Sequence, residues 1–182
     1  MTELSLHILD IIQNSIVAKA DLIEISVLED GISDLLLIEI SDNGIGIDGE
    51  TLKKVSDPFY TSRTTRKVGM GISLFRQAAE QCNGSLTIES QLHVGTTVKV
   101  VMKNSHLDKQ PIGDIAGVIS LMVSSNPLID FTYQHITGKG KYLFNSKEIK
   151  KLLEDIPVTD PKVIKFIKEM IQDNLHEINA ST

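Results

Sequence analysis

Asp10 and Asn14 stand four residues apart in a stretch with helical periodicity, so their side chains share one helix face. An Asn carbonyl oxygen is a hard donor suited to Mg²⁺, which takes few protein ligands and completes its shell with phosphate and water. A carboxylate one turn earlier is placed to orient or deprotonate a water or hydroxyl nucleophile. A solvated helix face would use the same two residues. His7, three residues before Asp10, reads as a satisfied structural histidine.

A second group is Asp42-Asn43-Gly44-Ile45-Gly46-Ile47, directly after a β-rich run. Glycine allows a flat ligand to approach and permits backbone angles closed to other residues. A buried Asp carboxylate accepts a hydrogen bond from an exocyclic amine, such as that of adenine. Asn-Gly after a strand is also an ordinary turn signal. A third group, Gly69-Met70-Gly71-Ile72, opens a helix whose free N–H groups would attract phosphate. Arg63, Arg66 and Lys67 precede it and add positive charge. No Gly-Lys-Ser/Thr follows, so it is not a Walker loop, and no third glycine has Rossmann spacing. A plain glycine turn beside a solvated basic stretch is the alternative.

These groups need elements to hold them. Leu4, Ile8, Ile12 and Ile16 predict an amphipathic helix over 3–20. Strands follow over 22–28 and 35–40, with Gly31 and Asp34 in the turn. A short helix is expected over 49–55 and another over 71–81, ending at Asn83-Gly84. Strands are expected over 85–90 and 96–102. Residues 56–68 lack a period and read as mobile. The order predicts a two-layer α/β sandwich, with helices on one face of a mixed sheet.

A boundary is expected within 104–111, giving a first unit over 1–104 and a small α+β extension over 105–182. The extension should hold an apolar helix over 113–124, a hairpin of strands 131–136 and 141–144, and helices over 146–154 and 161–178. Ser146 with Glu148, and Asp160 before Pro161, are the expected caps. The apolar helix would dock on the first unit or make a homodimer contact.

The chain has 182 residues, 41% of them hydrophobic, enough for a core without disulfides or metals. Its net charge of −6 argues against general binding to nucleic acid or anionic membrane. Cys82 is the single cysteine, so no internal disulfide forms; it reads as a buried apolar residue in a reducing, cytoplasmic setting. No apolar run is long enough to span a bilayer, and the N-terminus lacks the pattern of a signal peptide.

Taken in order, the groups resemble the GHKL (Bergerat-fold) superfamily of histidine kinases, DNA gyrase B subunits, MutL proteins, large heat-shock chaperones and anti-sigma-factor kinases. The run 10–15 is similar to its N box and 42–47 to its first glycine box. The run 57–62 (Asp-Pro-Phe-Tyr-Thr-Ser) is similar to its phenylalanine box, 69–72 to its second glycine box, and 95–97 to its late glycine-threonine element. The resemblance covers about residues 3–103. It implies a Mg²⁺ ligand at Asn14 and a general base at Asp10. It implies an adenine partner at Asp42, with Gly44, Gly46 and Ile47 around the ring and Thr96 assisting. Gly69, Met70, Gly71 and Ile72 would open onto the phosphates of ATP, under a lid carrying Phe59, Thr61, Arg66 and Lys67.

Two departures narrow the choice within that superfamily. Histidine kinases commonly carry Asn at the position of Asp10, whereas gyrase, MutL and anti-sigma kinases carry Glu, one methylene longer. MutL-like and gyrase-like chains have an acidic residue where this chain has Val17. Hydrolysing relatives bring a lysine from a second domain; Lys139 and Lys141 are the candidates here, and a solvated turn explains them as well. The implied activities are phosphoryl transfer from ATP to a protein partner, on Ser/Thr or His, slow ATP hydrolysis, or nucleotide sensing without catalysis. The stretch from Pro111 to the last helix also resembles the extension on stand-alone ATPases encoded beside iron-hydrogenase subunits in anaerobic bacteria. That resemblance implies an accessory role in a redox complex.

Overall fold

The computed structural model of the protein describes residues 3–56 and 71–181. Helix α1 (Leu4–Val17) is followed by strands β1 (Leu22–Asp30) and β2 (Leu35–Asp42), then helices α2 (Gly49–Ser56) and α3 (Gly71–Gln81). Strands β3 (Ser85–Gln91) and β4 (Gly95–Lys103) complete the expected order. The remainder is α4 (Ile115–Ser125), β5 (Asp130–Thr137), β6 (Gly140–Asn145), α5 (Ser146–Leu152) and α6 (Pro161–Glu177).

The strands form one six-stranded sheet in the order β3-β4-β2-β1-β5-β6. It is mixed: β5 runs parallel to β1, and every other pair is antiparallel. The hairpin of the extension therefore continues the sheet outward from β1. Alternation sets the buried face, with Ile23, Ile25 and Val27 aligned beside Ile40, Ile38 and Leu36, and Val98, Val100 and Met102 following on β4. Phe131 and Tyr133 carry the same face onto β5. α1, α3 and α4 pack on this side, α6 packs on α4, and the buried side chains form one cluster across the sheet. The other face presents half-exposed or exposed residues such as Glu24, Ser26, Glu39, Thr97 and Lys99.

Local chemistry explains the helix ends. Asn83, at φ 54°, takes the left-handed position after α3, and Gly84 N and Asn83 N return to the carbonyls of Ala79 and Glu80. Gly84 is glycine for another reason: a Cβ there would lie 1.9 Å from the Val101 carbonyl oxygen. α6 begins at Asp160, whose side chain accepts from Lys162 N. Ser146 is not the cap of α5. Asn145 fills that role by accepting from Lys147 N, while Ser146 is buried and its Oγ accepts from Phe131 N at 2.8 Å.

α1 has no side-chain N-cap. Its first free N–H groups, on Leu4 and Ser5, donate to the carbonyls of Pro111 and Ile112 at 2.9 and 2.8 Å. The start of the helix carrying Asp10 and Asn14 is thus closed by backbone beyond β4. Cys82 is buried, and burial pushes its thiol up. Among the described residues, no helix is long and apolar enough to cross a membrane.

Candidate functional site

Asp42 is the last residue of β2 and faces inward, in line with Ile38 and Ile40. Its carboxylate is held at both oxygens: Oδ1 accepts from Gly44 N at 2.9 Å, and Oδ2 accepts from Ser15 Oγ at 2.6 Å. The antiparallel register sets Thr96 of β4 directly opposite Asp42. Ile47 N donates to Ser90 Oγ at 2.8 Å, and Ser90 Oγ donates to the Gly95 carbonyl at 3.0 Å. That leaves Thr96 as donor in its 2.8 Å contact with Ser90, with its oxygen lone pairs available to the cleft.

The loop after Asp42 is pinned along its length. Asn43 Oδ1 accepts from Asp21 N and Leu22 N, both at 3.0 Å. Ile45 N donates to the Ala18 carbonyl, and the Ile45 carbonyl accepts from His93 N. Gly46 has φ 69°, and a Cβ there would lie 2.1 Å from the Gln91 carbonyl oxygen. The tight packing of this loop on the β3–β4 turn therefore requires that glycine even before any ligand is considered.

Between this loop, α1 and β4 lies a cleft of about 360 Å³. The expected site residues Asn14, Asp42, Gly46, Ile47, Ile72 and Thr96 line it. Its walls are aliphatic, from Ile11, Ile45, Ile88 and Val98, with Val17 and Ala18 also contributing. A slot of aliphatic side chains with one fixed carboxylate at its end suits a planar heterocycle bearing an amine. Among the described residues no Lys or Arg lines it.

Asp10 and Gly71 meet one turn earlier along α1. A Cβ on Gly71 would lie 2.6 Å from both Cβ and Oδ2 of Asp10, so only glycine lets α3 begin this close to the carboxylate. Among the described residues neither the Asn14 amide nor the Asp10 carboxylate makes a hydrogen bond, and Asn14 brings a neutral carbonyl oxygen to the cleft. That fits the demand of a Mg²⁺ ion for a neutral oxygen ligand beside phosphate. Gly44 lies behind Asp42, tight against Ala18. Phe59, Thr61, Arg63, Arg66, Lys67, Gly69 and Met70, and with them the expected lid, lie outside the described residues. Lys139 and Lys141 are exposed at the β5–β6 turn, at the end of the sheet away from Asp42.

Ser15 is the site residue that pattern reading missed. Its signal was its place beside Asn14, but only the approach of α1 to the end of β2 gives it a partner. His7 also differs from expectation. It is buried, its Nε2 lies 3.2 Å from Gln110 Oε1, and its Nδ1 has no partner among the described residues. Burial pushes its pKa down, so the ring is neutral.

Sensor kinases share this region. The sensor histidine kinase YxdK of Bacillus subtilis is 32% identical over 85 residues, 44% of this chain and 26% of that protein. The histidine protein kinase DivJ of Caulobacter vibrioides is 35% identical over 81 residues, 42% of this chain and 14% of that protein. The chain thus aligns with about a quarter or less of these relatives' lengths. Among solved structures, the Aquifex aeolicus MutL ATPase domain complexed with ADP superposes with a TM-score of 0.50 at 15% identity, covering 85% of this chain and 70% of that one. The N-terminal domain of a DNA repair protein gives 0.53 at 22% identity, covering 79% and 52%. Residues 2–106 match the family described as histidine kinase-, DNA gyrase B-, and HSP90-like ATPase, and the chain belongs to that family.

Proposed function

We propose that the chain is a Mg·ATP-binding regulatory protein that passes the γ-phosphoryl group of ATP to a protein partner or slowly hydrolyses ATP. The observation that carries this is the arrangement along one side of α1. Ser15 fixes the amine-binding carboxylate Asp42, Asn14 lines the cleft, and Asp10 lies against the start of α3. The adenine ring would enter the aliphatic slot, its amine N–H donating a hydrogen bond to the Asp42 carboxylate. The Asn14 amide oxygen would hold Mg²⁺, whose charge would offset that of the phosphates. The free N–H groups at the start of α3 would face the phosphates. Asp10 takes the proton of an incoming hydroxyl as its oxygen bonds to the γ-phosphorus and the bond to the ADP oxygen breaks.

A carboxylate base favours a Ser or Thr acceptor, or water, over an imidazole, which needs no strong base. The lid segment over 56–68 and the extension over 105–182 would present the nucleotide state to the partner, and a homodimer is compatible with that role. No nucleic acid or membrane enters this reading, and the setting it fits is the bacterial cytoplasm.

One observation favours a second reading, a non-catalytic nucleotide sensor or accessory subunit of a hydrogenase-related redox complex. Asp10 is not among the residues lining the cleft; it lies against the Gly71 backbone instead. Incubation with γ-labelled ATP and proteins encoded beside this one separates the readings. Labelled partner or released phosphate, lost in Asp10→Asn while ATP binding persists, supports catalysis. Binding with neither transfer nor release supports the sensor.

A further inference from the structure

On α1 the side chains of His7, Asp10 and Asn14 follow at intervals of three and four residues and form one stripe. α3 runs beside this stripe in the opposite direction and meets it at two rungs. At the upper rung Gly71 abuts the Asp10 carboxylate. At the lower rung, one turn along each helix, the His7 ring stacks on Phe75 with centroids 4.9 Å apart and planes 13° from parallel. Phe75 is fully buried. A third contact, from His7 to Gln110, ties the lower rung to the segment that closes the start of α1.

The neutral ring donates Nε2–H to Gln110 Oε1, the assignment that satisfies the network, and leaves Nδ1 buried without a partner among the described residues. A phenyl ring would keep the stack on Phe75 while removing both the unpaired acceptor and the Gln110 contact, so it separates the stack from the ring's hydrogen bonding.

We propose that His7 is a positioning residue for the phosphate end of the nucleotide site: by stacking on Phe75 it sets the separation of Asp10 from the start of α3, and so the preference for ATP over ADP. This rests on the ATP-binding reading above. A helix is stiff over one turn, so a shift at the His7–Phe75 rung carries to Gly71 and Asp10, where small displacements matter. The other end of the site is held separately, by Ser15 and Gly44 on Asp42. Loss of the stack should therefore weaken binding of ATP more than binding of ADP.

The test uses the full chain and calorimetric titration with Mg·ATP and Mg·ADP, for wild type, His7→Ala and His7→Phe. In His7→Ala the ratio of ATP to ADP affinity is expected to fall roughly 5-fold or more, the scale of a modest coupling between sites. In His7→Phe, which restores the stack, the ratio should return close to wild type. His7→Ala that lowers thermal stability but keeps the ratio overturns the proposal, because His7 would then be merely structural. His7→Phe with the ratio of His7→Ala overturns it as well. If His7→Ala does not fold, Phe75→Leu removes the stack from the other side and carries the same expectation. Wild type that binds neither nucleotide overturns the ATP reading itself and His7's role with it, whereas wild-type binding with unchanged ratios overturns only the role of His7.

Discussion

Ser15 Oγ sits 2.6 Å from Asp42 Oδ2, joining the helix that carries Asn14 to the strand end that carries the cleft carboxylate. The bond aims Asp42 at the slot and links its two sides. Replacing Ser15 with Ala leaves Asp42 its Gly44 contact but removes a hydrogen bond to a charged group, worth about 1.5–3 kcal/mol. The expected result is ATP affinity lowered by about tenfold, with a drop of several degrees in melting temperature that Ser15→Thr largely avoids. Titration of Ser15→Ala beside Ser15→Thr, which keeps the hydroxyl, checks it; equal affinity in both variants would count against the bond.

Gly71→Ala places a methyl group where the Asp10 carboxylate now lies. Either α3 backs away or Asp10 rotates. The expected outcome is ATP affinity lowered about 5-fold with ADP affinity near wild type, as for His7→Ala, and phosphate transfer or release reduced by about 10²-fold, the scale set by small displacements of a catalytic group. Single-turnover measurement with labelled ATP reads both, and undiminished turnover would separate Asp10 from the chemistry.

Truncation after Asn104 removes more than an appendage. It opens the Pro111 and Ile112 contacts at the start of α1 and strips β5 from β1, exposing an apolar strand edge. The truncated chain is expected to aggregate or to lose its cooperative thermal transition. A monodisperse fragment that binds ATP normally would show that the first unit folds alone.

A buried chain at the far end of the sheet gives a pH dependence. Tyr133 Oη lies 2.6 Å from His135 Nδ1, His135 Nε2 lies 2.7 Å from Glu29 Oε1, and Glu29 also accepts from the backbone N and the Oγ of Ser181. Burial pushes the Glu29 carboxyl up, but the bonds from His135 and Ser181 outweigh it and hold the group below its ordinary value of 4.5. A carboxyl lowered by folding stabilises the fold fully above its unfolded pKa, and that contribution fades as pH falls through the folded value. Glu29→Gln should therefore be less stable than wild type near neutrality, with the gap closing in acid below the ordinary carboxyl range. Urea unfolding at neutral and acidic pH measures the gap; a constant difference would argue against this source.

Much of the first hundred residues could be read in advance because their signals are local. Apolar spacing marks α1, and glycine and Asn-Gly punctuation marks both ends of α3. What stayed hidden depends on contacts between distant segments. Nothing in the local period of β5 indicates that it lies parallel to β1, since a hairpin pattern is the same at a sheet edge or in a separate unit. The capping of α1 by Pro111 and Ile112 uses backbone carbonyls, which carry no side-chain signature. Ser146 and Asn145 both suit a cap, and only the approach of Phe131 N drew the serine inward. The Ser15 role was hidden for the same reason, because its partner is 27 positions away in the chain.

The most direct test of the account is calorimetric titration of Mg·ATP into wild type and Asp42→Asn, with thermal melting to confirm that both are folded. The account predicts micromolar-to-millimolar binding by wild type and its loss in Asp42→Asn, since an amide nitrogen would face the adenine amine. No binding by folded wild type, or equal binding by the variant, would contradict it.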